Sequence, residues 1–287
     1  MDVKNLPPPW LLENIDCRRS DLVPQAHLRH AFLNEKYRRL KEKSGAELSR
    51  HLLMRLQRAL SWLGQAEKHV LEEIRGMNDS QKVQDVDDMA FVACWISFNA
   101  VYAEYATSDK AEKEKREKFF DKILDCDDGR VHDALIGERT RRAVISVVVH
   151  KFLCAEFWDI HHAGKMSRKQ RAAANEDVIA ALYSEGAAVH DAFYRLDTSG
   201  VLVPLFDRLS LLRNQLVHGS ASWRDGVNRS QVVLGLWLMF ILVPLFIDVI
   251  MDDVFENPGN GTELWGEAYY PVIAEGDGAK WREKGRG

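Results

Sequence analysis

The sequence predicts an all-α protein, and three observations carry that prediction. The helix formers Leu, Ala, Glu, Lys and Arg recur throughout, apolar residues return every three or four positions, and Pro and Gly gather toward the two ends. The expected architecture is a four-helix bundle core over 81–256, with an additional N-terminal helical extension over 1–80 and a partly disordered C-terminal tail over 257–287.

The first elements follow from periodicity and breakers. The chain to about Ser20 reads as irregular. Asp21 to Lys43 reads as a helix with a basic face (Arg29, Lys36, Arg38, Arg39, Lys41, Lys43), broken by Ser44-Gly45. A second helix is predicted from Ala46 to Arg75, with Leu48, Leu52, Leu56, Leu60, Leu63 and Val70 along one face and Gly76 at its end. Val86 to Tyr105 is apolar on nearly every side and reads as a central helix, with Asn99 and Glu104 as its notable polar interruptions.

Asp109 to Lys118 is highly charged and reads as the start of a solvated helix. An apolar helix is predicted over Arg141 to Trp158. Its β-branched cluster (Val144, Ile145, Val147 to Val149) also suits a strand, but no partner strand is evident. Lys165 to Arg171 is basic and leads into a helix ending near Arg195. Thr198-Ser199-Gly200 reads as a turn, Val201 to Val217 as a helix stopped by Gly219, and Ser220 to Asn228 as a loop. A last helix runs to about Phe255, before the breaker Asn257 to Gly261.

Within that last helix Val232 to Ile247 carries no charge. A membrane span needs about 17–25 such residues, so the run falls just short. A buried core or dimer-interface helix has the same signature and is the expected reading, with no membrane as partner.

Composition sets the function classes. With 46% hydrophobic and 29% charged residues, the chain has an ordinary globular balance and ample material for a core. A formal charge of −4 argues against a protein that coats nucleic acid non-specifically, while allowing a local basic groove. Cys17, Cys94, Cys126 and Cys154 lie far apart with no metal or redox spacing, which suggests reduced structural thiols in a cytoplasmic protein. The segment Met1 to Trp10 lacks the apolar stretch of a signal peptide. Adjacent His161 and His162 rarely make a metal site alone, and no HExxH, phosphate-binding glycine loop or nucleophile elbow occurs. No metal or cofactor is expected.

The most informative segment is Leu211-Leu-Arg-Asn-Gln-Leu-Val-His-Gly219, in which Arg213 and His218 close an amphipathic helix. Positions five apart on an ideal helix lie about 140° apart, so the pair does not share a face by spacing alone. A helix ending at Val217 or His218, with Gly219 as left-handed cap, would free the imidazole to turn. Chemically the pair suits RNA cleavage without a metal. Histidine moves protons near neutrality, and the permanently charged arginine fork grips the oxygens of a crowded phosphorane. The bland alternative is a capped helix end, with Arg213 on a carboxylate and His218 on a carbonyl. Asn214 either orients the pair or bonds the nearby backbone. Asn99 and Glu104 are candidates to hold the guanidinium, or form a structural pair. Trp223 and Arg224 would stack on and grip a nucleotide, or simply pack.

The segment resembles the R-x4-H signature of the HEPN superfamily. The likeness includes Asn214 and Gly219, extends through SWRDGVNRSQV into the apolar last helix, and takes WISFNAVYAEY as the family's earlier core helix, so it covers roughly 83–272. It implies a HEPN-type bundle and an endoribonuclease acting by 2′-hydroxyl attack, with His218 as acid/base and Arg213 stabilising the phosphorane. Products would carry a 2′,3′-cyclic phosphate and a 5′-hydroxyl. It also implies a homodimer whose cleft joins two copies of the motif, a toxin or anti-phage role, and an antitoxin or regulatory protein partner. A non-catalytic HEPN module that binds RNA, nucleotide or protein is the alternative. Some HEPN toxins carry a modifiable tyrosine two residues after the histidine; here that residue is Ser220.

Overall fold

The computed structural model describes residues 15–44, 48–83, 86–102, 109–162, 164, 166–219, 229–258 and 264–265. Among these residues there is no strand. The regular structure is α-helix, with short 3-10 turns and one isolated backbone bridge between Arg18 and Lys82. The described helices are α1 (His30–Ser44), α2 (Arg50–Glu73), α3 (Asp88–Tyr102), α4 (Asp109–Cys126), α5 (Arg130–Ile136), α6 (Glu138–Val148), α7 (Ala155–His162), α8 (Arg168–Tyr194), α9 (Thr198–Val217) and α10 (Arg229–Glu256).

Three boundaries differ from the sequence reading, each for a physical reason. The expected helix from Asp21 starts only at His30; before it lie two 3-10 turns, Arg19–Leu22 and Ala26–Leu28. Pro24 separates them, and the residue before it, Val23, is extended at φ −109°, ψ 109°, as a residue preceding proline prefers. The expected helix Arg141–Trp158 is two helices, α6 and α7, with a 3-10 turn over Lys151–Leu153 between them. Thr198-Ser199-Gly200, read as a turn, is instead the first turn of α9, where the Asp197 carboxylate accepts the Gly200 N–H at 2.8 Å. The valine-rich segment is helical, as expected.

Helix α10 is the axis of the fold. It packs against α1, α3, α4, α5 and α6, and Gln231 to Met251 are buried except for the half-buried Ile241. By length and composition it is apolar enough to cross a membrane, yet 94% of its most apolar stretch is buried inside the chain. It therefore offers no exposed apolar face for a second subunit to cover, which removes that argument for a dimer. Gly235 permits the close approach: a Cβ there would lie 3.1 Å from both Leu209 and Phe91.

The N-terminal helices share this core. α2 buries Leu52, Leu56, Leu60, Leu63 and Val70 against α3, and α1 buries Leu33, Tyr37 and Leu40 between α2 and α10. Ion pairs fasten the shell to the axis. Asp248, buried on α10, pairs with Lys36 of α1 and with Arg130 of α5 at 3.0 Å; Asp252 takes the same two cations at 2.6 and 3.0 Å. At the other end Arg229 pairs with the buried Asp88 at the start of α3. An aromatic cluster fills the centre, with the Phe98 ring 4.5 Å from Phe206 and 5.6 Å from Trp95. This cluster backs the helix end that carries the Arg213–His218 motif.

Candidate functional site

Helix α9 delivers the motif. Its apolar face, Leu202, Leu205, Phe206, Leu209 and Leu212, is buried, which orients the last turns. The helix stops at Val217, and His218 caps it with its N–H donating to the Asn214 carbonyl at 3.0 Å. Gly219 follows at φ +70°, in the left-handed region that glycine adopts without a Cβ penalty. The cap expected from the sequence is thus present. His218 is exposed, while Arg213 lies one and a half turns back with its side chain 21% exposed. Asn214 supplies the carbonyl that closes the cap.

The surroundings of Arg213 are specific. Its guanidinium carbon lies 5.5 Å from the centre of the Trp95 ring, a cation–π contact on a ring wholly buried against Phe98 and Phe206. Its Nη2 is 3.6 Å from Glu112 Oε1 of α4. The same oxygen accepts the Tyr102 hydroxyl at 2.9 Å, and burial together with the Glu112 charge raises the Tyr102 phenol well above its ordinary range. Beyond Glu112, α4 continues with the buried Arg116 paired to Asp207, which Lys113 also reaches at 2.6 Å. Alternating charges thus tie α4 to α9.

Of the sequence-predicted residues, Asn99 shares a face of α3 with Trp95 and Tyr102, but no hydrogen bond joins it to Arg213 among the described residues. Asn99 sits one helical turn after Trp95 and just before Tyr102, the two α3 residues of the Arg213 surroundings. Its Oδ1 is buried with no hydrogen-bond partner among the described residues, and so is Arg213 Nε. No hydrogen bond or ion pair joins Arg213 to His218 among those residues, in keeping with their angular separation on the helix. Glu104, Ser220, Trp223 and Arg224 lie outside the described residues. The carboxylate on Arg213 is Glu112, which the sequence reading did not single out.

Other candidates resolve into structural roles. On α1, Arg38 and Arg39 pair with Glu35 at 3.1 Å, Lys36 joins the Asp248 network, and Lys43 lies 3.5 Å from the Phe255 ring centre. His161 and His162 stack on Phe157 and Trp158, and no metal-ligating cluster occurs among the described residues. All four cysteines are free, and burial raises each thiol above its ordinary value, which suits inert packing.

Behind the motif, Gln215 of α9 donates to the Phe152 carbonyl at 2.7 Å, and Arg208 donates to the Val148 carbonyl at 2.9 Å while pairing with Glu185 of α8. These bonds fix α9 against the α6–α7 turn. The arrangement presents an aromatic-backed, carboxylate-steadied guanidinium and, past the helix end, an exposed imidazole. No family model, no curated protein and no solved structure matches the chain.

Proposed function

We propose that the chain is a HEPN-type, metal-independent endoribonuclease that works as a homodimer. His218 moves the protons of 2′-hydroxyl attack and departure of the 5′-oxygen, and Arg213 stabilises the phosphorane. The observation that carries this reading is the helix end itself. His218 is exposed at a cap made by Gly219, and Arg213 is held in the preceding turns on a rigid aromatic platform. A homodimer would bring two such ends to one cleft. A role as a toxin or in anti-phage defence, in the cytoplasm and under an antitoxin or regulatory protein, follows from the HEPN resemblance.

One observation favours a second reading, a non-catalytic HEPN module that binds RNA, nucleotide or protein. The Arg213–Glu112 contact is what a merely structural arginine would make. Three features keep it compatible with catalysis. The separation is beyond hydrogen-bonding range, the Tyr102 hydroxyl competes for the same oxygen, and Glu112 is itself a third exposed. A phosphate dianion-like transition state would compete well for the fork.

The readings separate when RNA is incubated in EDTA with wild type, His218→Ala and Arg213→Ala. The nuclease reading expects cleavage by wild type and a loss of at least about 100-fold in His218→Ala, the scale of general acid–base catalysis. Absent cleavage by all at micromolar protein, with RNA still bound, would establish the module.

A further inference from the structure

The helix-end pair leaves one region of the molecule unexplained, the hairpin that α7 makes with the start of α8. The two helices pack on each other around a small apolar core of their own, Cys154, Phe157 and Leu182, apart from the main one. Beyond that core the hairpin covers little, and no residue in 168–181 is buried. His161 and His162 are exposed there, and the His162 ring stacks on the half-buried Trp158 with 6.4 Å between ring centres.

The hairpin is also cationic in a way that its own folding does not require. The chain has no carboxylate over 161–175, a stretch that contains Lys165, Arg168, Lys169 and Arg171. Arg168, Lys169 and Arg171 open α8, where the positive end of the helix dipole favours acidic side chains, and its first turn holds none. Ser167 and Gln170 already cap this end, so the cations add nothing to the cap. Among the described residues no carboxylate pairs with any of the three, unlike Arg116, Arg130 and Arg208 in the body of the fold. Arg171 is half-buried, with Nε enclosed and without a hydrogen-bond partner, so its side chain lies in against the hairpin.

Hydrogen bonds join the hairpin to the motif helix. The Phe152 carbonyl accepts both Trp158 Nε1 at 2.9 Å and Gln215 Nε2 at 2.7 Å, and Gln215 lies between Arg213 and His218 on α9. The exposed Lys151 adds a further cation, 5.0 Å over the Phe152 ring. Successive contacts therefore connect the cations, the stacked rings and the helix end. A chain of phosphates carrying unpaired planar bases matches both kinds of group. A duplex keeps its base faces stacked away, and an acidic protein segment would use the cations alone. We propose that the α7–α8 hairpin holds single-stranded RNA and leads it to the Arg213–His218 end. This deepens the nuclease reading and rests on RNA being the substrate.

Fluorescence anisotropy of the full chain with a 2′-O-methylated octanucleotide, which cannot be cleaved, tests this. Wild type binds the single strand at least about tenfold more tightly than a duplex of equal length or an octaglutamate peptide. Arg168→Glu/Lys169→Glu weakens the single strand by at least about tenfold and lowers the salt dependence of binding. Lys41→Glu/Lys68→Glu, an equal charge change on α1 and α2, leaves affinity within about threefold. Trp158→Leu/His162→Ala weakens binding by at least about fivefold with its salt dependence kept, as for a lost stacked base. Thermal melts check that the variants fold, and if the ring variant melts early, His161→Ala/His162→Ala replaces it. Unchanged binding in the hairpin variants, an equal loss in the α1–α2 control, or duplex or peptide bound as tightly as the single strand would each overturn the proposal. Cleavage by wild type with binding unaltered in the hairpin variants sinks the proposal alone. Hairpin-dependent binding without cleavage in EDTA sinks the nuclease reading alone.

Discussion

Arg213 Nη2 lies 3.6 Å from Glu112 Oε1, and the guanidinium carbon lies 5.5 Å from the centre of the Trp95 ring. The two contacts have different consequences. The aromatic face fixes where the guanidinium is, while the carboxylate sets how readily it engages another anion. Replacing Glu112 by Gln keeps the Tyr102 hydrogen-bond acceptor and removes the charge. Because Glu112 is a third exposed, the expected stability change is below about 1 kcal/mol by urea denaturation. RNA cleavage by Glu112→Gln is expected to equal or exceed wild type; a fall in cleavage with unchanged stability would give Glu112 an essential part.

The cap at Gly219 is a backbone requirement. A Cβ there would meet nothing within 4 Å, so the cost of Gly219→Ala is the left-handed backbone alone, about 1–2 kcal/mol. A lowered melting temperature is expected for Gly219→Ala, with partial recovery in Gly219→Asn, since asparagine tolerates that conformation. Equal stability of all three would mean that the helix does not end as described.

Truncating Phe98 to Ala should cost about 3–5 kcal/mol, the range for a fully buried phenylalanine. Its ring touches Phe206, Tyr102 and Trp95, so the loss also loosens the platform under Arg213. Urea midpoints measure the first effect. A change under about 1 kcal/mol would contradict the packing described.

A pH dependence is expected from His150. Burial, helped by the neighbouring Lys151 charge, pushes its imidazole down to about 4, and its Nε2 lies 2.8 Å from Gln231 Nε2. The unfolded chain takes up this proton near pH 6.5 and the folded chain only near 4. Stability attributable to neutral His150 is therefore complete above pH 6.5 and declines as the pH falls to 4, by roughly 3 kcal/mol. Urea midpoints between pH 7.5 and 4 should fall less steeply in His150→Gln than in wild type. Parallel slopes would place the proton elsewhere.

Much of this fold is legible in the sequence, because burial on a helix leaves a period. Leu52 to Val70 on α2 and the unbroken apolar run of α10 announce their elements, and the Gly219 stop is read from one residue. What escapes has no local signal. The break after Val148 contains neither Pro nor Gly; it is stabilised by Arg208 and Gln215, sixty-odd residues away, which donate to the carbonyls of Val148 and Phe152. The seven-residue α5 is too short for a period and is anchored through Arg130 to Asp248 and Asp252. In the candidate site, the motif residues stand out by type and spacing. Glu112 is one acid in a charged run, and only the packing of α4 on α9 singles it out.

The most direct test of the helix-end site is end-group analysis of RNA products formed in EDTA. A metal-independent HEPN-type site built on Arg213 and His218 gives 2′,3′-cyclic phosphate and 5′-hydroxyl ends with wild type, and no such products with His218→Ala. Products ending in 3′-hydroxyl and 5′-phosphate, cleavage that stops on adding EDTA, or the same products from His218→Ala would contradict it.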